Sequence, residues 1–145
     1  MLILEPSAAS AIACGTDRGI ALKLLLLQGD KVISSTLIQI DLMDAMARFM
    51  RMRAASRKVV DECIELTLDL IDELVPFEDF AAEAFSEAAQ RKIPMGKLVY
   101  YCMARRYGAT LVTTDEELWS LCLASGVPCT NGNDADFPMK KVPGL

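Results

Sequence analysis

The stretch Ala109-Thr110-Leu111-Val112-Thr113-Thr114-Asp115-Glu116-Glu117-Leu118 decides how this chain is read. Residues 109–113 are small, β-branched or aliphatic and too few for a helix, so they predict a buried strand. Thr114 followed three residues later by Glu117 spells a capping box, which opens a helix expected to run to Ala124. Gly126 ends it, and residues 127–129 predict one more short strand. Upstream, Pro94 starts a helix expected to reach Arg106, with Gly108 in the helix-ending role.

The same alternation continues toward the N-terminus. Residues 1–4 predict a strand, and Pro6 and Ser7 open a small-residue helix over 8–14. A second helix over 18–28 stops at Gly29-Asp30, and Val32-Ile33 marks a brief strand. Ser34, Ser35 or Thr36 is expected to cap a long helix reaching Arg53. An amphipathic helix over 56–70 places Val59, Val60, Cys63, Leu66, Leu70 and Ile71 on one side. A strand over 73–77 and an acidic, Ala-rich helix over 80–91 follow. Strand–helix alternation predicts a three-layer α/β/α fold with a central, mostly parallel sheet of four to five short strands. The 145 residues suit one domain, over 1–130, followed by an irregular tail over 131–145.

Composition narrows the chemistry. There is no histidine, which excludes His-dependent triads and His-ligated zinc or haem. Carboxylates, Lys, Tyr and Cys must carry any reaction. The five cysteines have no CxxC spacing, so they read as unpaired thiols in a reducing compartment. The opening MLILEPSAAS lacks a basic signal-peptide start, and no apolar run is long enough for a membrane span. The expected location is cytoplasmic.

Charge is divided unevenly. The net charge is −5, yet residues 45–60 carry five cations (Arg48, Arg51, Arg53, Arg57 and Lys58) and no acid. Residues 61–90 carry ten acids and no cation. The basic run is a candidate phosphate-binding lip and therefore a candidate RNA-binding surface.

Ligands of doubly wound sheets sit beyond the carboxyl ends of the strands, which singles out Glu5 and Asp115. Asp41 falls within the apolar stripe Ile38, Leu42, Ala45, Phe49 and Met50, so it is expected to be paired or to line a pocket. Asp44 reads as surface. Lys97 lies in the first turn of its helix, where the dipole disfavours a cation by about 0.3–1 kcal/mol unless acids compensate.

Residues 109–118, then Ala124-Ser125-Gly126-Val127, resemble the late segment of PIN domains of the VapC toxin type. So does Tyr100-Tyr101-Cys102-Met103-Ala104-Arg105-Arg106-Tyr107-Gly108. Leu2-Ile3-Leu4-Glu5-Pro6-Ser7 resembles the family's first strand, which normally ends in Asp. The helix with Asp41 and Asp44 resembles the one that normally carries a Glu. The resemblance spans about residues 1–130. It implies metal-dependent ribonuclease ancestry, with Glu5, Asp41 and Asp115 at three acid positions holding Mg²⁺ or Mn²⁺. The eight Met residues on a helix-rich surface fit an antitoxin-like partner or a homodimer. The remaining acid position falls on Lys97. An ammonium there implies that catalysis is lost or weakened, the alternative being an active Mg/Mn-dependent ribonuclease using Glu5, Asp41 and Asp115. A receiver domain, also doubly wound, fits less well because its acidic pair after the first strand is missing.

Overall fold

The computed structural model describes residues 1–133; the expected tail lies outside the described residues from 134 onward. The order is β1 (Leu2–Leu4), α1 (Pro6–Cys14), α2 (Asp17–Leu26), β2 (Val32–Ser35), α3 (Ile38–Arg53), α4 (Arg57–Leu68) and β3 (Glu73–Val75). A 3-10 turn (Phe77–Phe80) leads into α5 (Ala81–Gln90), α6 (Met95–Tyr107), β4 (Thr110–Val112), α7 (Glu116–Ser125) and β5 (Cys129–Thr130). The five strands form one sheet in the order β3-β2-β1-β4-β5, with every pairing parallel.

Alternation along each strand builds two cores, because successive side chains point to opposite faces. Ile3, Ile33 and Leu111 pack against α5, α6 and α7, whereas Leu2, Leu4, Val32 and Val112 pack against α1 to α4. The three-layer expectation therefore holds, and the sheet has five strands. Among the described residues no helix is long and apolar enough to cross a membrane.

Three local expectations are corrected. Ser34 and Ser35 belong to β2 rather than to a helix cap, and Leu37 occupies the cap of α3 without a side-chain bond. In α4 the buried side is Val60 and Thr67, with Cys63, Ile64 and Leu68 half-buried, while Val59 and Leu66 are exposed. At α7 the cap is Asp115, whose side chain accepts the Leu118 N–H, so the Thr114–Glu117 capping box does not form. An ionised Asp at that position combines a cap bond with favourable dipole charge, and β4 ends early enough to leave it there.

Candidate functional site

β1 and β4 are neighbours in the centre of the sheet, and both end in chemistry-bearing residues. Pro6 fixes the entry to α1 immediately after β1, so Glu5 is held at the strand end, 4% exposed. Thr113 Oγ1 donates to Glu5 Oε2 at 2.7 Å, and Ser7 Oγ donates to the same oxygen. Those hydroxyls accept in turn: Ser7 Oγ from the Thr114 N–H at 2.9 Å and Thr113 Oγ1 from the Asp115 N–H at 3.0 Å. One small network thus ties the start of α1 to the turn that positions Asp115.

Burial pushes the Glu5 carboxyl up from its ordinary value near 4.5, and the two hydroxyls oppose that shift only in part. The sign follows from linkage: the folded state holds this proton more tightly than the unfolded state. Glu5 therefore costs stability as pH rises from 4.5 through its folded value, and the cost is constant above it. Glu5→Gln keeps an acceptor for the hydroxyls and removes the charge. Its melting temperature should exceed wild type at neutral pH and converge with it below 4.5. Parallel thermal melts across pH test this, and an advantage that persists in acid would contradict it.

Lys97 occupies the first turn of α6, and its Nζ lies 2.7 Å from Asp115 Oδ2 and 2.8 Å from Glu117 Oε1. Bonding to Asp115, then to Glu117, pushes the ammonium further up from its ordinary value. These acids compensate the unfavourable dipole position. Asp115 is engaged on both oxygens: Oδ2 by Lys97 and Oδ1 by the Leu118 N–H at 3.0 Å. Glu117 was not among the sequence candidates, because its spacing from Thr114 read as a capping-box partner. Once Asp115 takes the cap, Glu117 is free to turn toward α6.

A cleft of about 390 Å³ is lined by Glu5, Ser7, Asp41, Lys97, Tyr100 and Asp115, so the four sequence candidates do share one crevice. They do not share one ion-pair cluster. Asp41 is exposed at the lip rather than buried, and among the described residues it makes no ion pair with Lys97. The buried stripe of α3 is Ile38, Leu42 and Met46, which rotates Asp41 away from the core. Partial burial, then the neighbouring Asp44, pushes its carboxyl up. Asp44 is a surface residue, paired with Arg48 at 2.9 Å.

Tyr100 forms part of the wall, 1% exposed, and its hydroxyl accepts from Ser35 Oγ at 2.9 Å. Ser35 Oγ also accepts the Leu37 N–H at 3.1 Å, so this pair connects α6 to the start of α3. Tyr100→Phe strands the Ser35 donor and should cost about 1–3 kcal/mol of unfolding free energy, read from a urea titration.

A divalent ion of the Mg²⁺ or Mn²⁺ type needs several free oxygens in a tight shell. Among the described residues no three Asp, Glu or Cys side chains converge closely enough to hold one. Both Asp115 oxygens are engaged, and an ammonium stands where a second positive charge would be repelled. As arranged, the residues do not fit the ion.

The five cations of the expected basic run are split. Arg48 and Arg57 are tied to Asp44 and Asp61, each at 2.9 Å. Arg51, Arg53 and Lys58 make no ion pair among the described residues and surround the α3–α4 corner. Arg48 and Arg53 also line a groove between α1 and α3 with Phe49 and Met52.

The all-parallel five-stranded sheet, with its cleft beyond β1 and β4, defines a PIN-like three-layer domain. The fold is similar to that of the crystal structure of VapC20 from Mycobacterium tuberculosis, a Sarcin-Ricin loop cleaving toxin. The TM-score is 0.61 at 12% identity, covering 83% of this chain and 95% of that one. No family model and no curated sequence matches the chain.

Proposed function

We propose that this protein is a PIN-like domain of toxin–antitoxin ribonuclease ancestry whose metal-dependent cleavage of RNA is lost or weakened, and that it acts by binding RNA. The observation that carries the reading is the Lys97 ammonium on Asp115 and Glu117, at 2.7 Å and 2.8 Å. It supplies fixed positive charge at the strand ends but no hydrated ion from which to draw a nucleophilic water. Glu5, Asp41, Asp115 and Lys97 are then remnants of a catalytic centre, and Mg²⁺ or Mn²⁺ is not required. Arg51, Arg53 and Lys58, which make no ion pair among the described residues, form the phosphate-binding surface with Arg48 and Arg57 beside them.

The test combines metal titration with RNA assays on wild type. Calorimetry should show no saturable Mn²⁺ binding, and labelled RNA should survive incubation with or without Mn²⁺. Binding to single-stranded RNA should weaken with salt, with a slope of about −0.7 per phosphate contact. The triple variant Arg51→Glu, Arg53→Glu, Lys58→Glu should abolish it. Mn²⁺-dependent cleavage that disappears in Glu5→Ala and Asp41→Ala would instead establish the active ribonuclease.

A protein partner, antitoxin-like or a second copy, is favoured by one further observation. Helices α3 and α4 expose Ile40 at 68%, Met52 at 82% and Leu66 at 60%. Such exposure suits a contact surface. Light scattering after gel filtration distinguishes a homodimer from a monomer awaiting another chain.

A further inference from the structure

Helix α7 and strand β5 place two thiols together, outside the lining of the cleft. α7 ends at Gly126, whose φ of 75° reverses the chain, and the Val127 N–H donates back to the Cys122 carbonyl at 3.0 Å. This brings the start of β5 beside the last turn of α7. Cys122 is fully buried in the core beneath α7, and the half-buried Cys129 packs against that same core. Their sulfurs are hydrogen-bonded to each other.

β5 is the shortest strand among the described residues. It has two residues and, among the described residues, pairs with β4 alone at the edge of the sheet. Among the described residues Thr130 Oγ1 is buried without a hydrogen-bond partner, which adds to its cost. Short edge strands of this kind open first in local unfolding.

We propose that Cys122 and Cys129 are an oxidation site: under peroxide they close into a disulfide that staples the edge strand β5 to α7. The half-buried Cys129 meets the oxidant and the buried Cys122 resolves the product. The Cys129 thiolate attacks one peroxide oxygen, the O–O bond breaks, and Cys129 becomes a sulfenic acid as hydroxide leaves and takes up a proton. Cys122 then loses its proton and attacks the Cys129 sulfur. The S–O bond breaks, the S–S bond forms and a second water leaves. Two thiols are oxidised by two electrons and one peroxide is reduced to two waters. The hydrogen bond and burial push the Cys122 thiol up, and Cys129 is the more accessible of the two sulfurs, so the oxidant reaches Cys129 first. Cys122 lies in the last turn of α7 and Asp115 and Glu117 at its start, a rise of roughly 8–10 Å along the helix, so Lys97 keeps its partners.

The experiment treats the full chain with hydrogen peroxide and analyses it without reductant. The expected result is a mass lower by two hydrogens, reversed by dithiothreitol. Chymotryptic cleavage after Leu123 should give two peptides joined through Cys122 and Cys129. Amide exchange in β4 and β5 should slow in the oxidised form. Cys129→Ser and Cys122→Ala, checked for folding by circular dichroism, should each lose the bridge. A double variant Cys14→Ser, Cys63→Ser should retain it. Sulfinic acid at Cys129 without a bridge, a bridge to another cysteine, or exchange unchanged by bridge formation would each overturn the proposal.

Discussion

Gly19→Ala is expected to yield almost no folded protein. Gly19 lies in the first turn of α2, where that helix crosses the end of α1. A Cβ built there would stand 2.0 Å from the Ala11 carbonyl oxygen and 2.3 Å from its carbon, with Ile12 N at 2.8 Å. All three are backbone atoms, so no side chain can rotate away. The crossing is also pinned chemically: the Thr16 N–H and the Thr16 hydroxyl both donate to the Ala11 carbonyl, at 3.2 Å and 3.3 Å. Relief requires moving two helices apart and losing both bonds.

Overpacking a core typically costs about 1–3 kcal/mol, and a backbone clash belongs at or beyond the top of that range. Against a total stability of about 5–15 kcal/mol, soluble yield and the urea midpoint should both drop sharply. Gly96→Ala is the control, because its Cβ meets nothing within 4 Å. It should be neutral or stabilising by up to about 1 kcal/mol. Similar losses in both variants would show that the α1–α2 crossing is not tightly specified.

That crossing could not have been read from the sequence, where Gly19 is one small residue inside a helical pattern. What could be read was whatever periodicity and punctuation specify locally. The alternation of short apolar runs with helical stretches led to the parallel sheet, and β1 and β4 ended next to Glu5 and ahead of Asp115 as expected. The misreadings share one cause: tertiary partners chose between locally equivalent options. In α3 the fully buried stripe is Ile38, Leu42 and Met46, with Phe49 and Met50 half-buried against the same core, so Met46 takes the place expected for Ala45 and Asp41 stands at the lip of the cleft. At α7 either Thr114 or Asp115 could cap, and the hydrogen bond from the Asp115 N–H to Thr113 Oγ1 favours the second. Glu117 became a partner of Lys97 only through that choice. The roles of Ser7, Thr113 and Tyr100 depend on contacts across the sheet, which no spacing along the chain encodes.

Lys97→Asp carries the largest expected gain of function. The substitution removes the ammonium from Asp115 Oδ2 and Glu117 Oε1 and puts a carboxylate in the first turn of α6. The helix dipole favours an acid there by about 0.3–1 kcal/mol at an exposed position. Repulsion among the acids of the cleft acts the other way, so without metal the variant should melt below wild type. Mn²⁺ reverses that balance by binding only the folded state. At a metal concentration of about one hundred times Kd, stability rises by about 2.7 kcal/mol. Wild type, whose fixed ammonium repels the ion, should show no comparable rise. Lys97→Met separates the two contributions: it removes the positive charge without adding an acid, so it should bind Mn²⁺ more weakly than Lys97→Asp. A Lys97→Asp variant that folds yet melts at the same temperature with and without Mn²⁺ would mean that Lys97 does not stand in for a metal. The lip position of Asp41 would then be the feature that keeps the cleft from holding a metal.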